Sequence, residues 1–177
     1  MGELKLADVL DADSLKLMME EFYALTNIGS AIIDNDGKVL VAVGWQEICM
    51  KFHRVNPQSN ANCIASDTIL SLGAEPGRFA SYKCKNNMRD MATPIMLGGK
   101  RAGNLFFGQF FYDDDVVDED IFREQAKMYG FDEAEYMAAL AKVPRWNKEY
   151  LDKAMSFYAK LAEVISSLSY NAIRLAR

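Results

Sequence analysis

Apolar residues recur at Leu15, Met18, Met19, Phe22 and Leu25, a three-and-four spacing that lines one face of a helix. Asp13 or Ser14 is placed to cap its start, and Asn27 to Gly29 to end it. The period then changes. Two β-rich runs in "SAIIDNDGKVLVAVG" flank Asn35-Asp36-Gly37, where Asp-Gly tolerates the positive φ of a tight hairpin. Two short helices are expected next, over 46–55 and 62–72, the second stopped by Gly73 and Pro76-Gly77. "FASYKC", "RDMATPIML" and "RAGNLFFGQFFY" read as three further strands, with Gly98-Gly99 turning the chain between the last two. Pro94 has no amide to give a ladder, so it belongs at an edge or a bulge. Helices are expected over 118–129, 132–141 and from 147 to the end, with breaks at Gly130 and Pro144.

This order predicts an α+β fold: an antiparallel sheet of about five strands, flanking helices and a long C-terminal helix. The layout resembles that of PAS-like sensor domains. No repeat, linker or low-complexity tract divides the chain, so residues 1–177 are expected to form one domain. Residues 1–13 would be an N-terminal segment and 147–177 a signalling helix.

Charge narrows the function. The 177 residues carry a formal net charge of -5, which argues against a general nucleic-acid surface. The N-terminus lacks a signal-peptide pattern, and no apolar run nears the roughly 18 residues that span a bilayer. The three cysteines cannot all pair with one another. An odd count without a secretory pattern points to reduced thiols in the cytoplasm. No phosphate loop, nucleophile elbow or metalloprotease helix is present. A Cys-His dyad lacks a recognisable oxyanion site, so no enzyme is expected.

Soft side chains are concentrated in the middle of the chain. Cys49, the single histidine His53, Cys63 and Cys84 follow the spacing C-x3-H-x9-C-x20-C. Cys49 and His53, four apart on a helix, share a face. Three thiolates and an imidazole suit zinc or an iron centre, including iron–sulfur. Buried thiols also act as small hydrophobes, and Cys63 with Cys84 would serve as a redox pair if geometry allowed.

Alternation along "GNLFFGQFFY" puts Asn104, Phe106, Gly108, Phe110 and Tyr112 on one face and Leu105, Phe107, Gln109 and Phe111 on the other. Gln109 on an apolar face needs a partner, either a neighbouring loop or a ligand. Trp45, His53, Tyr82, Phe107 and Gln109 are the expected ligand-binding residues. Arg54, Ser66, Asp67 and Lys83 add polar groups nearby, although Asp67 also reads as a solvated helix position.

The last helix spaces Leu151, Ala154, Tyr158, Leu161, Ile165, Leu168, Ala172 and Leu175 by alternating threes and fours, a heptad seam. Its first part is expected to dock on the domain and its last part to pair with a second copy. A helix that only covers the core is the plain alternative.

The segments "GWQEICMKFHR", "NCIASD", "YKCKNNMRDMATPI", "GNLFFGQFF", "QAKMYGFDEAEYMAAL" and "VPRW" together resemble the PocR sensory domain, over about residues 6–174. That family is a PAS-like input module of transcription regulators, histidine kinases and cyclic-dinucleotide signalling proteins. The resemblance implies a cytoplasmic sensor of a small hydrocarbon derivative such as a diol, with Cys49, His53, Cys63 and Cys84 part of the motif. Arg101-Ala102 departs from the His-Ile or His-Leu expected there. No DNA-binding or kinase region is present in the sequence, so an input domain or stand-alone sensor is expected. A structural dimerisation module without a ligand is the competing expectation.

Overall fold

A computed structural model describes residues 5–175, and side chains as far as residue 171. After a short 3₁₀ turn at Leu6–Asp8, helix α1 runs Ala12–Thr26. Its cap is Asp11, which accepts from the Ser14 amide, rather than the expected Asp13 or Ser14. Asn27 closes it in the left-handed conformation. Strands β1 (Ser30–Asp34) and β2 (Val39–Val43) form the hairpin. A π-helical turn, Ile48–His53, and helix α2, Pro57–Thr68, follow. α2 starts five residues before the expected 62, because Asn56 accepts from the Gln58 and Ser59 amides and Pro57 opens the helix.

Strands β3 (Ala80–Lys83), β4 (Arg89–Leu97) and β5 (Lys100–Tyr112) complete the antiparallel sheet in the order β2-β1-β5-β4-β3. Pro94 lies beyond Ala92, the last β4 residue paired with β3, so the edge position expected of it is met. Helices α3 (Glu119–Tyr129) and α4 (Glu133–Ala141) are capped by Asp118 and Asp132. A two-residue strand, β6 (Arg145–Trp146), pairs parallel with the end of β5. It is too short to leave a periodic trace in the sequence. Helix α5 spans Lys148–Leu175.

One sheet face is covered by α1 and α5. Ile32, Val41, Met91, Ile95, Leu105 and Phe107 meet Met19, Leu151, Met155, Tyr158, Ala162 and Ile165 in one core. Residues 151, 155, 158, 162 and 165 are therefore the docked seam. Three positions coincide with the expected seam, Leu151, Tyr158 and Ile165. The others turn one residue further, and Leu168 is exposed rather than packed. Ala172 and Leu175 lie outside the side chains described. A second three-and-four stripe, Phe157, Leu161, Val164 and Leu168, runs along the outer side, with only Leu161 half-buried.

The opposite sheet face carries Ala31, Ile33, Ala92 and Phe106, against which Trp45 and Tyr82 pack. The π-helical turn and α2 flank it. A separate core joins Ile48, Cys49 and Phe52 to Phe122, Tyr136 and Leu140.

Candidate functional site

The alternation of β5 holds as far as Gly108 and then breaks. Arg89 pairs with Phe110 and Asp90 with Gly108, so Gln109 is an extra residue between them. Its φ is 75°, a left-handed value uncommon for a side-chain-bearing residue and found most often where structure over-determines it. The bulge turns Gln109 away from Phe107 and onto the face of Phe106 and Gly108. It also returns Phe110 and Tyr112 to the α5 core and puts Phe111 beside Phe122. This corrects the expected face assignment, because strict alternation cannot register an inserted residue.

A small hollow of about 10 Å³, the scale of a single water, lies here. Ala31, Ile33, Trp45 and Phe106 form its apolar lining, with Arg54, Asp67, Asp90, Gly108 and Gln109. Gln109 Oε1 accepts from the Gln46 amide at 2.8 Å, which fixes the loop that carries Trp45. Arg54 follows the π-helical turn, and its N–H bonds back to the Cys49 carbonyl at 2.9 Å. Its guanidinium donates to Asp67 Oδ2 at 2.7 Å and lies 4.4 Å from the Trp45 ring centre. That one side chain ties together the π-helical turn, α2 and the loop after β2. Asp67 is buried, not solvated, with 6% of its side chain exposed.

Asp90 reaches across the strand into space that only a glycine at 108 leaves open. An added Cβ there would overlap its carboxyl. Burial and the neighbouring Asp67 charge push the Asp90 carboxyl well above its ordinary range, against the opposing pull of Arg54. Burial raises Asp67 too, with Arg54 opposing. Arg54 Nε and the Tyr82 hydroxyl are both buried without a hydrogen-bond partner. Unpaired buried polar atoms cost free energy, and the Tyr82 hydroxyl belongs to the same cluster.

None of the soft side chains lines this hollow; Cys49 belongs to the core of Phe52, Phe122 and Tyr136, and Cys84 packs against it. Cys49 Sγ is 3.8 Å from His53 Nδ1, and His53 Nε2 is 2.6 Å from the Tyr136 hydroxyl. Gln125 donates to that hydroxyl at 2.9 Å and accepts from Asn87. Asn87 donates to Gln125 and Gln125 to the Tyr136 hydroxyl, which keeps its own proton to offer His53 Nε2; in that tautomer the imidazole proton sits on Nδ1, facing Cys49. Burial and the Arg54 charge hold His53 down to about 4, neutral at physiological pH. Cys63 accepts from Asn86 Nδ2 at 3.2 Å and Cys84 from the Met88 amide at 3.3 Å. The thiols are raised by burial, Cys63 to about 11, with Cys49 and Cys84 also held above the ordinary thiol value. Cys49 and Cys63 are buried and Cys84 is half-buried. Among the described residues, no group of three or more His, Cys, Asp or Glu side chains is arranged to hold a metal ion.

Residues 8–170 match the family described as the sensory domain found in PocR. The chain belongs to the PocR sensory-domain family. No curated protein matches it. Family membership makes it a sensory domain and points to a non-catalytic role. No helix among the described residues is long and apolar enough to cross a membrane.

Of the expected ligand-binding residues in this PocR-type domain, Trp45 and Gln109 line the hollow and Tyr82 packs beside it. Phe107 lies on the reverse face, 4.0 Å between ring centres from Tyr158. His53 is engaged with Tyr136 rather than lining the hollow. Asp90, Gly108, Asn86 and Tyr136 went unrecognised in the sequence. An aspartate inside an apolar strand, two positions before Ala92, is the one local signal that would have singled out Asp90. Arg101, the departure from the family pattern, donates to the carbonyls of Ser71 and Ala74 and to Asn104. It secures the 3₁₀ turn Leu70–Gly73, away from the hollow.

Proposed function

We propose that this domain senses a small molecule in the hollow between the sheet and the π-helical turn and reports its presence through α5. The observation that carries this reading is a hollow with apolar walls beside buried, unpartnered polar atoms, Arg54 Nε and the Tyr82 hydroxyl. Apolar walls with a few placed polar groups are the make-up of small-molecule sites. A short diol fits the chemistry. β5 carries the signal across the sheet: Phe106 and Gly108 face the hollow, and Phe107 between them packs on Tyr158 of α5. The Met96 amide also donates to Ser166 at 2.8 Å, tying β4 to α5. The output would be a transcription regulator, histidine kinase or similar partner in the cytoplasm, reached through a homodimer along the outer α5 stripe.

Ligand-observed NMR with propylene glycol tests the site. Binding is expected in the native chain and lost in Ala31→Leu, which fills the hollow. Binding unchanged in a folded Ala31→Leu protein, or none in either, would overturn the reading and leave a structural dimerisation module.

The Cys49–His53 contact favours a second reading, in which a zinc or iron centre, iron–sulfur included, supports the hollow. The two atoms share a face, and N–H donors aimed at Cys63 and Cys84 suit thiolates. The set does not close round one ion as it stands, so binding would draw Cys63 and Cys84 inward. Elemental analysis of protein purified without oxygen decides this: stoichiometric metal, lost in Cys63→Ser, supports it, and metal-free protein rejects it.

A further inference from the structure

Two groups bring unused donors to the hollow, and a third brings acceptors. The Arg54 guanidinium is committed to Asp67 through one terminal nitrogen, and its Nε is buried with no partner. Gln109 spends its Oε1 on the Gln46 amide, and among the described residues nothing accepts from its Nε2. Asp90 lies over Gly108 on the hollow's wall, and no donor among the described residues reaches its carboxyl oxygens. Charge sets a further limit. Arg54 is already balanced by Asp67 at 2.7 Å, so an anion would find no free cation and would face Asp90, while a cation would have to hold ionised a carboxyl whose burial favours the neutral form. Burying an uncompensated charge costs far more than burying a hydrogen-bonded neutral group.

We propose that the hollow selects small neutral molecules that carry an acceptor oxygen beside a donor group, as carboxamides, hydroxy-carbonyl compounds and vicinal diols do. The oxygen is set against Arg54 Nε and Gln109 Nε2, and the donor against Asp90. Ala31, Ile33 and Phe106 take a short alkyl part. At about 10 Å³ the hollow admits more than a water only when the Trp45–Arg54 stack parts. Arg54 is thus both the group that closes the site and the one that reads the ligand. The inference rests on the hollow being the sensing site.

Three probes of equal length separate the chemistry: propionamide, propionate and propylammonium. The full chain is titrated with each, and with propylene glycol, while the Trp45 indole and Gly108 amide signals are followed by NMR. Propionamide and propylene glycol are expected to saturate these signals, with the two ions at least about tenfold weaker, since each would bury a charge that the site does not compensate. Arg54→Lys keeps the charge but loses the Nε donor, and is expected to weaken propionamide by about tenfold, with the thermal midpoint recorded to confirm folding. Tighter binding of propionate or propylammonium overturns the neutral-ligand inference and leaves the sensing site standing. Undiminished propionamide binding in a folded Arg54→Lys protein overturns the role of Nε. If no probe of any charge moves either signal, this inference and the sensing reading fail together.

Discussion

His53 shows how much a single residue's surroundings decide. Its imidazole is buried between Cys49 and Tyr136, and burial holds its pKa down to about 4 from an ordinary 6.5. The unfolded chain therefore takes a proton that the folded chain refuses. Stability from this group is complete above about pH 6.5 and falls as pH drops toward 4, by on the order of 3 kcal/mol in all. Asp67 and Asp90 have raised pKa values and act in the opposite sense, so the readout is a difference. In urea denaturation of metal-free protein, His53→Gln should flatten the loss of stability across that window. An equal slope in native and variant chains would show that His53 is not buried neutral. The sequence identified His53 and its partner Cys49, because a spacing of four is local. It did not identify Tyr136, whose contact with His53 spans 83 residues.

Among the elements, β5 and α5 mark the limits of pattern reading. Strand alternation placed Phe106 and Gly108 on one face and Leu105 and Phe107 on the other, as found. The inserted Gln109 then reversed the order of every residue after it, and nothing in "FFGQFF" announces an insertion. Helical spacing likewise identified α5 but blended its two stripes, taking Leu151, Tyr158 and Ile165 from the docked seam and Leu161 and Leu168 from the outer one. A helix with apolar positions on two sides leaves that choice to the packing. The outer stripe of Phe157, Leu161, Val164 and Leu168 repeats at the coiled-coil period, which is why a second copy is proposed as its occupant. Phe157→Glu with Leu168→Glu should turn a dimer into a monomer in sedimentation velocity while leaving the thermal midpoint within a few degrees. A native chain that sediments as a monomer would remove the dimer from the account.

For the molecule as a whole, the order of helices and strands was legible because each long element carries its own period and its own caps. The hairpin at Asp36-Gly37, the cap-bearing starts of α3 and α4 and the break at Gly130 are all local chemistry. The hollow was only half legible. Trp45, Tyr82 and Gln109 stood out as residue types, but Phe106 did not, and the convergence of Arg54, Asp67 and Asp90 joins the end of the π-helical turn, α2 and β4, which no spacing encodes. That convergence lies on one side of the sheet and α5 on the other, with Phe107 and Tyr158 in contact between them. The central claim is that occupancy of the hollow is felt by α5. Methyl NMR of the full chain titrated with propylene glycol tests it most directly, with Ala31 reporting the hollow and Ile165 reporting α5. The account predicts that both signals move with one shared dissociation constant, and that the Ile165 signal stays still in Ala31→Leu. An Ile165 signal that does not respond while Ala31 saturates would contradict it.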